Sequence, residues 1–319
     1  LSAPTRLVLR APAKVNLTLA VGARRPDGFH EVDTVCLALE LGDLLEVRRG
    51  PPGDGLRLIV EGPQGEGVPS DGSNLAWRAA RIVQERARAL GRTSSDLELR
   101  LEKHVPSAAG LGGGSSDAAA ALLGASLALG LEPDDPELVQ ALGTLGSDCP
   151  FFLVARATGL ARCTGRGERV APLSERPPFW VVVLTPALEC ATGEVYAALA
   201  AAPRTSQRRP ALDLARPATI AHALHNDLAS AACTLEPRLA EIAALLQEIA
   251  SDRFLLSGSG SSFFALALEV VEAQRLEERV RAAMEARRFA IRGLWVTRAA
   301  GHGVREDAAK SQYPYGPAP

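Results

Sequence analysis

Lysine is nearly missing from this chain. The 319 residues carry 35 basic side chains, and all are arginine except Lys14, Lys103 and Lys310. Arginine serves wherever a generic surface cation suffices. A surviving lysine therefore marks a place suited to a compact ammonium rather than a forked guanidinium. Lys310 lies in a polar tail and needs no special reason. Lys14 and Lys103 flank the segments that carry chemistry. Cysteine is also sparse: Cys36, Cys149, Cys163, Cys190 and Cys233 are odd in number and never spaced C-x-x-C. That pattern argues against a disulfide framework or a zinc site and fits a reducing cytosol, so a cytoplasmic protein is expected. A charge excess is lacking too. A net charge of -2 gives no whole-chain field for nucleic acid or membrane, so any phosphate site has to be built locally. No apolar run is long enough to span a bilayer. The opening "LSAPTRLVLRAPAKVNL" has no basic region ahead of a long apolar core, so no secretory leader is read there.

What is present is a mixture of strand and helix patterns. "RLVLRA", "VNLTLAVG", "TVCLALELGDLLEV" and "LRLIVEG" alternate as half-buried strands do, with the turn "RRPDGFHE" between them. A helix is expected over "NLAWRAARIVQERARAL", capped by Ser73 or Asn74 and closed by Gly91. "DLELRLEKHV" reads as a strand, "DDPELVQALGTLG" as a short helix, and "GLARCTGRGERVAPL" as two strands joined at Gly165–Gly167. "SERPPF" marks a boundary. Beyond it come the strand "FWVVVLTP", a Pro/Arg-rich connection at 203–217 and a helical stretch from about Ala221 to Ala250. Strand–turn–strand over "RFLLSGSGSSFFALALE", the amphipathic helix "VEAQRLEERVRAAMEARR" and the strand "AIRGLWVTRAA" complete the pattern. The rhythm is not a strict βαβ repeat. It predicts an α+β fold in two parts, 1–175 and 176–300, with a disordered tail at 301–319.

The stretch "KHVPSAAGLGGGSSDAAAALLGASLALG" concentrates glycine, serine and aspartate directly ahead of an apolar helix. Glycines let a backbone approach a ligand and aim successive N–H groups at it. A helix N-terminus adds unsatisfied donors and a positive dipole end. Gly110, Gly112, Gly113 and Gly114 are more than a plain turn needs, so a phosphate cradle is expected over a flexible connection capped by Ser115 or Ser116. The loop is neither a Walker A sequence nor a dinucleotide fingerprint. A second cluster, "SGSGSS" at 257–262, is explained equally by a hairpin turn. Asp148 in "LGSDCPFF" is the best lone carboxylate. If partly buried near a cation it can act as a base; otherwise it is a turn or helix cap.

Three segments together, "PAKVNLTLAVGARRPDGFHEV", "PSAAGLGGGSSDAAAAL" and "LSGSGSSFFAL", resemble the three signature motifs of the GHMP kinases. The order and spacing match from about residue 8 to 300. The pairing of "PAKVNL" with "RPDGFHEV", supported by "LGSDCPFF" and "HNDL", is similar to the branch that phosphorylates a cytidine diphosphate sugar alcohol on the non-mevalonate isoprenoid route. The resemblance implies an N-terminal domain like domain 2 of ribosomal protein S5 and a ferredoxin-like C-terminal domain. It implies ATP and Mg²⁺ as cofactors, with the protein ligands of the metal unassigned, a small-molecule acceptor, no nucleic acid or membrane partner, and a monomer or weak homodimer. Lys14 and Asp148 match the catalytic pair. Asn74, Lys103, Pro106, Gly110, Leu111, Gly112, Gly113, Gly114, Ser115 and Ser116 would hold ATP. Asn16, Phe29, His30, Tyr196, Gly258 and Ser259 would hold the acceptor, with Phe29, His30 and Tyr196 reading cytosine. Ala108 and Ala109 depart from the pattern where some members have glycine.

Simpler roles exist for several of these residues. Phe29 could pack on the core, His30 could be a structural histidine, Tyr196 could face a core and Asn74 could be a cap alone. Two other functions fit less of the sequence. A homoserine or mevalonate kinase would not be expected to carry "RPDGFHEV" beside "PAKVNL". A non-catalytic nucleotide-binding protein on the same fold would be favoured by loss of Lys14 or Asp148, and both are present.

Overall fold

The computed structural model describes residues 6–311 except 51–52, 54, 93–95, 176–177, 202–211, 215–219, 221–222 and 252. Most of the 203–217 connection, the start of the helical stretch at 221 and the tail from 312 lie outside them. The described residues build an eight-stranded sheet and a four-stranded sheet.

The first sheet is founded on two long antiparallel strands, β1 (Arg6–Arg24) and β2 (His30–Arg49). β1 joins "RLVLRA" and "VNLTLAVG", expected as separate strands. Between them lies a register shift at Pro12/Lys14, and the strand runs on past it. A bulge accommodates a proline that cannot donate to the ladder. β4 (Leu97–Glu102) pairs with β2, and β3 (Leu56–Glu61) with β4. β5 (Leu160–Gly165) pairs with β2 and with β6 (Arg169–Pro172), as the Gly165–Gly167 turn predicts.

Helix α1 (Leu75–Ala89) packs on α2 (Gly113–Leu129), which lies against β1 and β2. α2 is buried on nearly every side, and its alanines suit that position. A Cβ on Gly124 would stand 2.7 Å from Leu9 Cδ1 and 2.7 Å from Val47 Cγ2, so helix and sheet nearly touch there. α3 (Pro136–Leu145), capped by Asp135, and α4 (Cys149–Val154) close this half.

The second sheet holds β7 (Trp180–Pro186), β9 (Phe254–Leu256), β10 (Phe263–Ala267) and β11 (Ile291–Arg298) in the order β11-β7-β10-β9, all antiparallel. Numbered within this half that is 4-1-3-2, the ferredoxin-like arrangement. α7 (Pro237–Ile249) and α8 (Val270–Ala286) pack on it. α5 (Thr192–Ala201) adds a helix not foreseen. The expected 221–250 helix is instead a short strand β8 (His225–Asn226), then α6 (Ala229–Leu235), then α7. Pro237 divides the two helices because it starts a helix well but cannot continue one.

β8 pairs with β1, and Leu19, Val21 and Val32 of the first sheet sit in the same core as Leu184, Leu246 and Leu256 of the second half. The two halves are therefore packed together along β1. The tail needs correction as far as Ser311. Val304 is fully buried, β12 (Arg305–Glu306) pairs with Leu9 and Arg10, and Ser311 Oγ accepts from Val8 N at 3.0 Å. The segment covers the open edge of β1, a backbone role that a polar composition conceals.

Candidate active site

Period two in β1 sends Val15 and Leu17 into an apolar core and leaves Lys14, Asn16 and Thr18 on the other face. Lys14 Nζ, 4% exposed, donates to Asn16 Oδ1 at 2.7 Å. Asn16 Nδ2 in turn donates to Thr34 Oγ1 at 2.8 Å, and that hydroxyl donates to the Thr18 carbonyl at 2.6 Å. The chain of bonds fixes the Asn16 amide with its oxygen toward the ammonium. Asp148 Oδ2 lies 3.4 Å from Lys14 Nζ. Asp148 stands at the N-cap position of α4, yet its side chain makes no cap bond. Its carboxylate faces the ammonium instead, and it is more open than expected, at 42% exposure.

Both groups line a cavity of about 970 Å³. Its wall also carries Asn16, Phe29, His30, Pro106, Gly110, Gly112, Gly113, Gly114, Ser115, Tyr196, Gly258 and Ser259. Residues spread over more than 240 positions thus share one cavity. Two backbone loops meet there. Gly110 has φ of 74°, and a Cβ on it would stand 2.9 Å from the Gly260 carbonyl. Ser257 Oγ donates to the Gly110 carbonyl at 2.9 Å, and Ser262 N to that of Ala109 at 3.1 Å. Gly112, also left-handed at φ 68°, is the N-cap of α2, so Gly113, Gly114 and Ser115 form its first turn and neither Ser115 nor Ser116 caps it. Asn226 of "HNDL" donates to the carbonyls of Leu256 and Gly258, each at 2.7 Å, and so holds the second loop against Lys14.

Four expected nucleotide contacts do not line this cavity. Asn74 caps α1, accepting from Ala76 N at 2.8 Å, and donates to the Pro69 carbonyl. The Leu111 side chain is buried, while its carbonyl accepts from Lys14 N at 2.8 Å. Ser116 is fully buried, and its Oγ has no partner. Lys103 is the sharpest correction. Its ammonium lies beneath the glycine loop, bonded to Asp43 and, at 2.7 Å, to Asp117 Oδ2. Asp43 Oδ1 also accepts from the backbone N–H of Val105 at 2.8 Å. Burial opposes the charge on Lys103, but Asp117 and Asp43 outweigh it and hold the ammonium's pKa above its ordinary value. Burial pushes the Asp117 carboxyl well above the usual range, against the pull of Lys103. The triad anchors the strand before the loop to the helix after it.

At the far end of the cavity His30 and Tyr196 stack, with ring centroids 5.4 Å apart and planes 27° from parallel. The rings already lie against each other, so a base meets them from outside the pair. Phe29 is half-exposed, with the Arg166 guanidinium 5.1 Å from its ring centroid. Burial, aided by the charge of Asp148, pushes the Tyr196 phenol up to about 12, so it stays neutral. Cys190 also lines the cavity, and burial holds its thiol up at about 11, which leaves it a poor nucleophile. Sequence reading missed Thr34, Arg24 and Arg166, and noted Asn226 only within "HNDL", with no role given to it. Thr34 and Asn226 act through bonds between distant segments. The two arginines were hidden among many others, although Arg166 sits in the flagged Gly165–Gly167 turn.

Residues 74–156 match the model of the GHMP kinases N terminal domain. With the fold and the cradle facing an ammonium–carboxylate pair, the class is defined: an ATP-dependent small-molecule kinase of the GHMP type. Relatives named 4-diphosphocytidyl-2-C-methyl-D-erythritol kinase include that of Exiguobacterium sibiricum, 37% identical over 274 residues, or 85% of this chain and 92% of the relative. That of Streptomyces coelicolor is 39% identical over 292 residues, or 86% and 92%. The chain belongs to this family of GHMP kinases. A crystal structure of 4-(cytidine 5'-diphospho)-2C-methyl-D-erythritol kinase matches with a TM-score of 0.70 at 36% identity, covering 92% of this chain and 100% of that one. Homoserine kinase from Cytophaga hutchinsonii matches with a TM-score of 0.71 at 17% identity, covering 96% and 98%, which shows the shared fold alone.

Proposed function

We propose that the protein transfers the γ-phosphoryl group of ATP to the 2-hydroxyl of 4-diphosphocytidyl-2-C-methyl-D-erythritol, a step toward isoprenoid precursors. The observation that carries the reading is the Lys14–Asp148 pair, 3.4 Å apart, on the wall of the cavity that also holds the glycine cradle and the stacked His30 and Tyr196. ATP phosphates fit the backbone N–H groups from Gly110 to Ser115 and the start of α2. The cavity has room and aromatic faces for a cytosine beside Phe29, His30 and Tyr196.

The acceptor hydroxyl sits beside the pair, within hydrogen-bond reach of both Lys14 Nζ and the Asp148 carboxylate. Asp148 takes its proton as the oxygen attacks the γ-phosphorus, and ADP leaves. Lys14 orients the hydroxyl and balances charge on the transferring oxygens. Asn16 keeps the ammonium in place through its bond to Nζ. Asn226 keeps Gly258 and Ser259 against the acceptor. Among the described residues no three His, Cys, Asp or Glu side chains cluster as a metal site. Mg²⁺ suits this chemistry because it is held largely by phosphates and water, and the Ser115 hydroxyl on the cavity wall is a fitting protein oxygen for it. Bound there, it would neutralise phosphate charge.

The test is a reaction of ATP with the cytidine-bearing acceptor, followed by phosphorus NMR of the product. A new phosphomonoester at the tertiary carbinol is expected. A product phosphorylated at another hydroxyl, or ATP hydrolysis without ester formation, contradicts the assignment.

A further inference from the structure

We propose that Arg166 is the specificity-determining contact for the diphosphate of the acceptor. This rests on the reading above that the acceptor is a cytidine diphosphate derivative. Such a molecule has its base at one end, its reacting hydroxyl at the other, and its charge between them.

The β5–β6 turn spans that interval. Arg166 lies over Phe29, at the end assigned to the base. The next residue, Gly167, borders the reacting end: a Cβ on it would stand 3.5 Å from Ser147 Cβ and 4.0 Å from Asp148 Oδ1. Gly167 has φ of 115°, a conformation that keeps the turn bare and close to the pair.

Charge points the same way. Among the described residues, the Lys and Arg side chains lining the cavity are Lys14, Arg24 and Arg166. Lys14 is committed to Asn16 and Asp148. Arg24 makes one long contact in its own hairpin, its Nε 3.4 Å from the Gly28 carbonyl, but it is exposed, so water screens its charge more than that of the part-buried Arg166. Arg166 gives one donor to the Gly143 carbonyl at 2.6 Å, and Glu168 stands 4.0 Å from its Nε, a weak ion pair. A guanidinium has five donors in a fork that matches phosphate oxygens, so most of this one remains for a ligand. Its side chain is 24% exposed, which lessens screening by water. A diphosphate entering the cavity without such a partner would lose hydration with nothing in exchange.

The experiment compares cytidine and cytidine diphosphate as inhibitors competitive with the acceptor, in the wild type and in Arg166→Gln. Wild type should bind the diphosphate about 10- to 100-fold more tightly than the nucleoside, as charge-assisted bonds allow. In Arg166→Gln that preference should collapse toward one, with the cytidine constant and the Michaelis constant for ATP unchanged. Equal weakening of both inhibitors would make Arg166 a brace for Phe29 and overturn the proposal. An unchanged preference would overturn it too. Failure of the wild type to phosphorylate the cytidine-bearing acceptor would instead overturn the reading on which it rests.

Discussion

At the scale of single residues, the roles proposed for Asp148 and Lys14 each have a variant that isolates them. Asp148→Asn keeps the shape but cannot accept the hydroxyl proton. Turnover should fall by about 10²–10⁴, with the Michaelis constant for ATP nearly unchanged. Near-normal turnover by the folded variant would remove the proposed base. Lys14→Arg keeps the charge but not the geometry. The ammonium is buried, holds Asn16 at 2.7 Å, and its Cγ lies 3.0 Å from where a Cβ on Gly112 would stand. A wider, planar guanidinium would press on that loop or clamp Asp148 in a two-pronged pair. The variant should bind ATP and lose most turnover, as steady-state kinetics will show. Lys310→Arg is the silent control, being exposed in the last described segment. That Lys14 and Asp148 belong together was implied by the motifs that resemble the GHMP kinases, and the two side chains do face each other on one cavity wall. Lys103 was misread for a physical reason. Scarcity marks a lysine that arginine cannot replace, but a buried structural ammonium meets that condition as well as a ligand contact does.

Elements bring these residues together, and the glycine loop with α2 matters most. Gly114 is exposed, and a Cβ on it would meet nothing nearer than Leu75 Cδ1 at 3.9 Å. Gly114→Ala should therefore unfold like the wild type and show its effect as a raised Michaelis constant for ATP, because the methyl would lie on the proposed phosphate site. Wild-type kinetics in that variant would place the nucleotide elsewhere. Lys103→Met is the opposite case. It leaves Asp43 and Asp117 buried without their cation, so the unfolding free energy measured in urea should fall by about 3–5 kcal/mol. Normal stability with failed ATP binding would return Lys103 to the nucleotide site. Most elements here were readable from periodicity. Besides α5 and the break between α6 and α7, the exceptions were set by distant partners: the bulge that carries β1 past Pro12, the short β8 that pairs with β1, and the 301–311 segment that covers its edge. Backbone pairing of this kind leaves no side-chain pattern.

The whole molecule poses a different question, because its fold does not choose the acceptor. Homoserine kinase overlays on it as well as a 4-(cytidine 5'-diphospho)-2C-methyl-D-erythritol kinase does, with TM-scores of 0.71 and 0.70. The proposed acceptor puts that choice in the wall where β1 and β2 turn at Phe29 and His30, α5 brings Tyr196, and the β5–β6 turn brings Arg166. Those aromatic and charged groups suit a base and a diphosphate, and a small amino acid or hydroxy acid would leave them unused. ATP turnover measured side by side with 4-diphosphocytidyl-2-C-methyl-D-erythritol, homoserine, mevalonate and galactose tests this most directly. Efficient turnover is expected with the cytidine-bearing acceptor and background rates with the other three. Turnover of homoserine, mevalonate or galactose at a rate matching or exceeding that of the cytidine-bearing acceptor would contradict the account.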